Sequence, residues 1–195
     1  MQPLDEAVDH LRGVPGGPVI VEYGDYQCPY SRQAFRELER VARRSGEAIR
    51  IAFRHFPLTQ IHPHALAAAA AAEAAGLQDR FWEMHVLLFH RQNALADEDL
   101  RRYAAKLELD VTRFDHDRTA SVALARVQRD VRSGRATGEV AGTPTLFVDG
   151  LVHRGSYKAG ALLEALGHGT APGPASKESL AEPEYLPRLT PASRL

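Results

Sequence analysis

The chain has 195 residues, 24 Lys and Arg against 25 Asp and Glu, and a single cysteine. Mixed, near-neutral charge leaves no basic footprint for nucleic acid, and no run approaches the roughly 18 apolar residues of a membrane span. One cysteine excludes an internal disulfide, and the length suits one domain with a real core enlarged by an insertion.

In chain order, residues 1–13 are polar and acidic with no apolar stretch of the kind a secretory signal needs, so a cytoplasmic home is expected. Residues 19–23 form a short β-branched run that predicts a buried strand. From Pro29 to about Arg44, Ala34, Phe35, Leu38, Val41 and Ala42 recur at helical spacing. Pro29 suits the first helical turn, and Ser45-Gly46 ends the segment. A second strand is expected over 48–53, which makes a βαβ unit with parallel strands.

The next stretch contains no convincing strand. The alanine-rich run 62–75 requires helix, and Phe81, Met84, His85, Leu88 and Phe89 continue at helical spacing. Asp97-Glu98-Asp99 reads as an acidic first turn before Leu100, Tyr103, Ala104 and Leu107. A further helix is expected over roughly 118–132. Residues 145–148 and 151–154 flank Asp149-Gly150, a strong hairpin signal, and 158–166 predicts a last helix. Residues 168–195, rich in Pro, Ser and Ala without periodicity, are expected to be a disordered tail. The order implies an α/β fold, a mixed sheet with helices on both faces and an all-helical insertion at about 60–138 within a domain spanning 1–167.

Cys28 follows the first strand and opens the first helix. Unpaired N–H groups and the positive end of a helix dipole favour thiolate over thiol there. Position 31, where a Cys-x-x-Cys dithiol carries its second sulfur, is Ser31. The alternative for Cys28 is a buried structural cysteine.

The chain resembles the DsbA-like thiol–disulfide oxidoreductases of the thioredoxin superfamily, in particular the bacterial subgroup also found attached to sodium/proton antiporters. The matching segments are Val21-Glu22-Tyr23-Gly24-Asp25-Tyr26-Gln27-Cys28-Pro29-Tyr30, Phe53-Arg54-His55-Phe56-Pro57-Leu58 and His62-Pro63-His64. Phe81-Trp82-Glu83-Met84-His85 and Gly142-Thr143-Pro144-Thr145 complete the match. The resemblance implies a thioredoxin-like fold, Cys28 as nucleophile and a cis Pro144 beside it. The family's second cysteine falls at Ser31, where the match fails.

Without a resolving thiol, a mixed disulfide on Cys28 must be released by an outside thiol. Glutathione is then a candidate co-substrate, with no bound cofactor and with protein or peptide thiols and disulfides as partners. The Ser31 hydroxyl is expected to donate to the thiolate. The Thr143 backbone is expected to pair with an extended substrate, and Pro29, Tyr26 and Tyr30 to line its groove, the alternative for the tyrosines being the edge of the core. Glu22, six positions before the cysteine on a buried strand, predicts a raised pKa and a proton relay, or else a salt-bridged structural residue. His62, His64, His85 and His90 have poor spacing for shared ligation, so no metal is expected. Two other functions stay open. One is a glutathione transferase or isomerase of the kappa type, which the Pro29-Tyr30-Ser31 portion also resembles. The other is a redox-inactive module that binds a peptide or partner.

Overall fold

A computed structural model describes residues 3–46 and 48–167; the expected tail, 168–195, lies outside the described residues. Five strands, β1 (His10–Arg12), β2 (Val19–Gly24), β3 (Arg50–His55), β4 (Thr145–Val148) and β5 (Leu151–Val152), form one sheet in the order β1-β3-β2-β4-β5. Only β2 and β3 run parallel. They are joined by α1 (Pro29–Ser45), which gives the expected βαβ unit. The second strand begins and ends two residues later than its apolar pattern suggested, because Arg54 and His55 are buried in it and satisfied there.

Helix α1 starts at Pro29, whose ring takes the place of an N–H the first turn would leave unpaired. It buries Ser31, Ala34, Phe35, Leu38 and Val41, one stripe at helical spacing. Gly46 closes it in the left-handed region, φ 57°, with its N–H donated to the Ala42 carbonyl. Leu38 and Val41 pack with α7 (Ala159–Ala165) on Ile20, Ile51 and Leu146 of the sheet, while Phe35 joins Tyr26, Phe53 and Phe89.

Between β3 and β4 come α2 (Ala65–Gly76), α3 (Phe81–His90), α4 (Asp97–Lys106), α5 (Val111–Thr119) and α6 (Ser121–Ala136). Helix α2 touches each of the other four, and its alanines let those helices approach closely. The expected helix over 118–132 is a correction: α5 ends and α6 begins around Ala120, whose extended backbone (φ −71°, ψ 155°) interrupts the helical path. Helix α5 buries only Phe114, so it carries almost no apolar stripe to read. Its start is marked by Asp110, whose side chain accepts from the Arg113 N–H.

Strand β1 lies in the polar segment 1–13, for which the sequence suggested no strand. It holds by pairing with β3 and by charge. Arg54 on β3 donates to Asp9 through Nε at 3.0 Å and Nη2 at 2.7 Å, with both side chains buried. Arg54 also donates to the Tyr23 hydroxyl at 2.9 Å, which in turn lies 2.7 Å from Ser133 Oγ on α6. Gly134 packs closely beside it: a Cβ there would stand 3.0 to 3.1 Å from the Tyr23 and Phe56 rings, so those rings would have to give way. The hairpin turns on Asp149 and Gly150, φ 45° and 86°, the conformation an Asp-Gly turn needs.

Candidate active site

Cys28 is the N-cap of α1 in an extended conformation, φ −75° and ψ 121°. Its Sγ donates to the Thr143 carbonyl at 3.2 Å, just before the Thr143–Pro144 peptide, which is cis. The sulfur-bearing residue is 3% exposed, with the Thr143 carbonyl against its sulfur.

The loop that carries Cys28 is fastened from several sides by residues sequence reasoning did not single out. Asp25 is the hub. Its Oδ1 accepts the Gln27 N–H at 2.8 Å, and its Oδ2 accepts the Leu58 N–H and lies at 2.8 Å from His62 Nδ1. Gln92, in the turn after α3, donates its side-chain amide to the carbonyls of Tyr26 and Cys28 at 2.8 and 2.7 Å. The signal for Asp25 was its place in a turn-like Gly-Asp pair; Gln92 is remote in sequence and carried none.

Ser31 is fully buried, and its oxygen accepts the Asp25 N–H at 3.2 Å. In that bond Ser31 is the acceptor and the loop backbone its partner, while the Cys28 sulfur meets the Thr143 carbonyl. Tyr26 is 1% exposed, packs on Phe53 and Phe89, and lies 3.0 Å from His85 Nδ1 through its hydroxyl. It belongs to the core and not to a groove, and burial pushes its hydroxyl pKa well up. Pro29 and Tyr30 are exposed beside Cys28. A cleft of about 450 Å³ opens there, lined by Pro29, Gln27, His62, His64, Asn93 and Asp99 among others.

Glu22 projects from the central strand between Phe53 and Leu146. It is buried, and its Oε1 has no partner among the described residues. Burial pushes its carboxyl up to about 8, against the opposing pull of Arg12. The salt-bridged alternative for Glu22 finds no ion pair among those described.

A second polar cluster joins the insertion to the sheet, with Glu73 on α2, His10 on β1 and His55 on β3. Glu73 Oε1 lies 2.8 Å from His10 Nε2 and 2.7 Å from His55 Nε2, and the three groups' ligand atoms fall within 4.8 Å of one another. Ligands about 2.0–2.1 Å from a tetrahedral zinc stand roughly 3.3 Å apart, so the spacing is that of imidazoles hydrogen-bonded to a shared oxygen. Burial alone would raise the Glu73 carboxyl; the bonds from His10 and His55 outweigh it and hold it well below the usual carboxylate range. A depressed folded-state value contributes stability above the unfolded value and loses it as pH falls. Urea midpoints measured on acidification below about pH 4.5 are therefore expected to drop more steeply for the wild type than for Glu73→Gln. Parallel slopes would show that the bridge is not the source.

A thiol at a helix start, with a cis peptide against its sulfur, on a five-stranded mixed sheet with a helical insertion, is the arrangement of a thioredoxin-like thiol protein. The DSBA-like thioredoxin domain profile matches residues 19–167, and the chain belongs to that family. It is 46% identical over 167 residues to the Na(+)/H(+) antiporter NhaA 1 of Salinispora arenicola (strain CNS-205), covering 85% of this chain and 25% of that protein. The chain thus spans about a quarter of the length of the curated relatives it matches. Among solved structures, a thioredoxin-like oxidoreductase from Silicibacter pomeroyi DSS-3 superposes with a TM-score of 0.74 at 25% identity, covering 84% of this chain and 92% of that one. The thiol-disulfide exchange protein alpha-DsbA2 from Wolbachia pipientis gives 0.73 at 17% identity, covering 83% and 87%, a likeness of fold. No described helix is long and apolar enough to cross a membrane.

Proposed function

We propose that the protein is a monothiol thiol–disulfide oxidoreductase acting through a mixed disulfide on Cys28. The observation that carries this reading is the meeting of Cys28 Sγ with the Thr143 carbonyl beside cis Pro144, in a member of the DSBA-like family. The Cys28 thiolate attacks a glutathionylated sulfur, R–S–S–G. A Cys28–S–S–G bond forms, the R–S⁻ group leaves and takes a proton, and a second glutathione thiolate then attacks the glutathione sulfur. Oxidised glutathione departs with Cys28 restored, so each turn consumes one free glutathione thiol, R–S–S–G + GSH giving R–SH + GSSG. Pro29 and Tyr30 face the incoming chain, and the Thr143–Pro144 segment moves off the sulfur to admit it. A reducing compartment rich in small thiols, such as cytoplasm, suits this cycle.

Glu22 takes the thiol proton. A carboxyl held up to about 8 becomes a proton acceptor as pH rises toward that value, which general-base work requires. Alkylation of Cys28 is then expected to accelerate as pH rises through about 8, and Glu22→Gln to remove that step. A stability effect accompanies it. The folded carboxyl holds its proton above the unfolded value of 4.5, so its contribution is full below that pH and lost as pH rises through about 8. Glu22→Gln is accordingly expected to gain stability relative to wild type on the alkaline side. An unchanged alkylation profile in Glu22→Gln would remove Glu22 from the mechanism.

A second reading, a partner-binding module without turnover, is favoured by one observation, the 3% exposure of Cys28. Intact-mass analysis after exposure of the reduced protein to oxidised glutathione separates the two. The enzyme reading expects a single glutathionyl adduct that excess glutathione removes, and the module reading expects none.

A further inference from the structure

Arg12 on β1 pairs in register with Ile51 on β3, and the next row joins His10 to Phe53; across β3 these rows continue to Ile20 and Glu22 on β2. Residues opposite one another share a face of the sheet, so Arg12 and Glu22 project from the same side with β3 between them. The Arg12 guanidinium is engaged unevenly. One terminal nitrogen pairs with Glu39 on α1, and its carbon lies 5.0 Å from the centroid of the Trp82 ring on α3. Its Nε is buried with no partner among the described residues, and Glu22 Oε1 is buried and orphaned in the same way. An unmatched cationic donor and an unmatched acidic acceptor thus occupy one apolar layer and act on each other electrostatically.

We propose that Arg12 is a positioning residue for thiol exchange: its fixed charge lets Glu22 ionise inside the fold, and so sets the pH at which Cys28 can give up its proton. This rests on the reading of Glu22 as the proton acceptor. A lone carboxylate in an apolar interior stays protonated unless an opposite charge stands near it. Arginine supplies that charge at every relevant pH, because it does not deprotonate in proteins. The other titratable groups of this layer do not: His10, in the row of Glu22, and His55 on β3 are both bonded to Glu73 on α2. Tyr26, in the loop after β2, is kept neutral by burial, and His85, on α3, is kept neutral by burial and by Arg12 itself. Glu39 on α1 acts through its pair with Arg12, while the register neighbours of Glu22 on β3 and β4 are the apolar Phe53 and Leu146.

Two readouts on the intact chain test this: the Glu22 carboxyl followed by infrared difference spectroscopy against Glu22→Gln, and the pH profile of Cys28 alkylation. In Arg12→Met both midpoints are expected to move up by about one pH unit or more, and in Arg12→Lys to return toward wild type. Glu39→Gln frees the Arg12 charge from its counter-ion, so both midpoints are expected to move down. That variant keeps Arg12 in place and carries the test if Arg12→Met does not fold. A carboxyl midpoint unmoved in Glu39→Gln and in whichever Arg12 variant folds would overturn the role of Arg12, while the relay reading would survive if Glu22→Gln still flattened the profile. A carboxyl that shifts while the alkylation profile stays fixed would instead overturn both.

Discussion

Replacing Cys28 by serine is expected to abolish glutathionyl adduct formation and turnover on mixed disulfides altogether. The argument needs no fine geometry: the chain has one cysteine, and a serine hydroxyl forms no disulfide. The same variant separates enzyme classes. In a glutathione transferase of the kappa type the thiol of glutathione does the chemistry, so transferase activity with an electrophilic acceptor would survive the change. Loss of reduction with no transferase activity in the wild type supports the monothiol cycle; transferase activity equal in wild type and Cys28→Ser would replace it. Folding is not at issue, since serine matches the thiol in shape and the Thr143 carbonyl that receives the Sγ–H can receive Oγ–H equally well.

The second large effect is on stability. Removing the Asp9 side chain, as Asp9→Ala, is expected to cost about 3–5 kcal/mol, because it strands a buried arginine. Arg54 loses both bonds to the carboxylate, and Arg129, whose Nη1 lies 3.3 Å from Asp9 Oδ1, loses one as well. Burial opposes ionisation of Asp9, but the Arg54 bonds prevail and hold its carboxyl below the usual range. For a chain of this size such a loss lowers Tm by about 6–20 °C. Urea unfolding is the measurement, and a change under about 1 kcal/mol would mean that the pair adds little beyond its desolvation cost. Because Asp9 anchors the segment before β1, amide exchange along His10–Arg12 is expected to quicken in the same variant.

Much of this architecture was legible before any coordinates. The βαβ unit, the hairpin and the helical block each follow from a period or a turn that one stretch of chain carries by itself. What escaped reading depends on partners distant in sequence. Strand β1 is three residues long and polar, and is held by β3 and by Asp9 to Arg54 across 45 positions. The end of β3 was read short because Arg54 and His55 look like surface residues until Asp9, Tyr23 and Glu73 are placed around them. At the site, residue type and helix position were enough to single out Cys28 and Glu22. Whether the sulfur lies open was not legible, since its cover, Thr143, is 115 positions away. Tyr26 misled for a similar reason: a tyrosine beside a reactive cysteine suits a groove and a core equally until His85 and Phe89 are seen against it.

The amide of Gln92 grips the carbonyls on either side of Gln27 from the far end of α3. The loop that carries Cys28 is therefore held by the inserted helices as well as by the sheet beneath it. Exchanges deep within that inserted bundle can retune the sulfur while every letter of the cysteine motif stays the same. Descendants of one scaffold can in this way diverge in chemistry without divergence at the signature by which they are recognised.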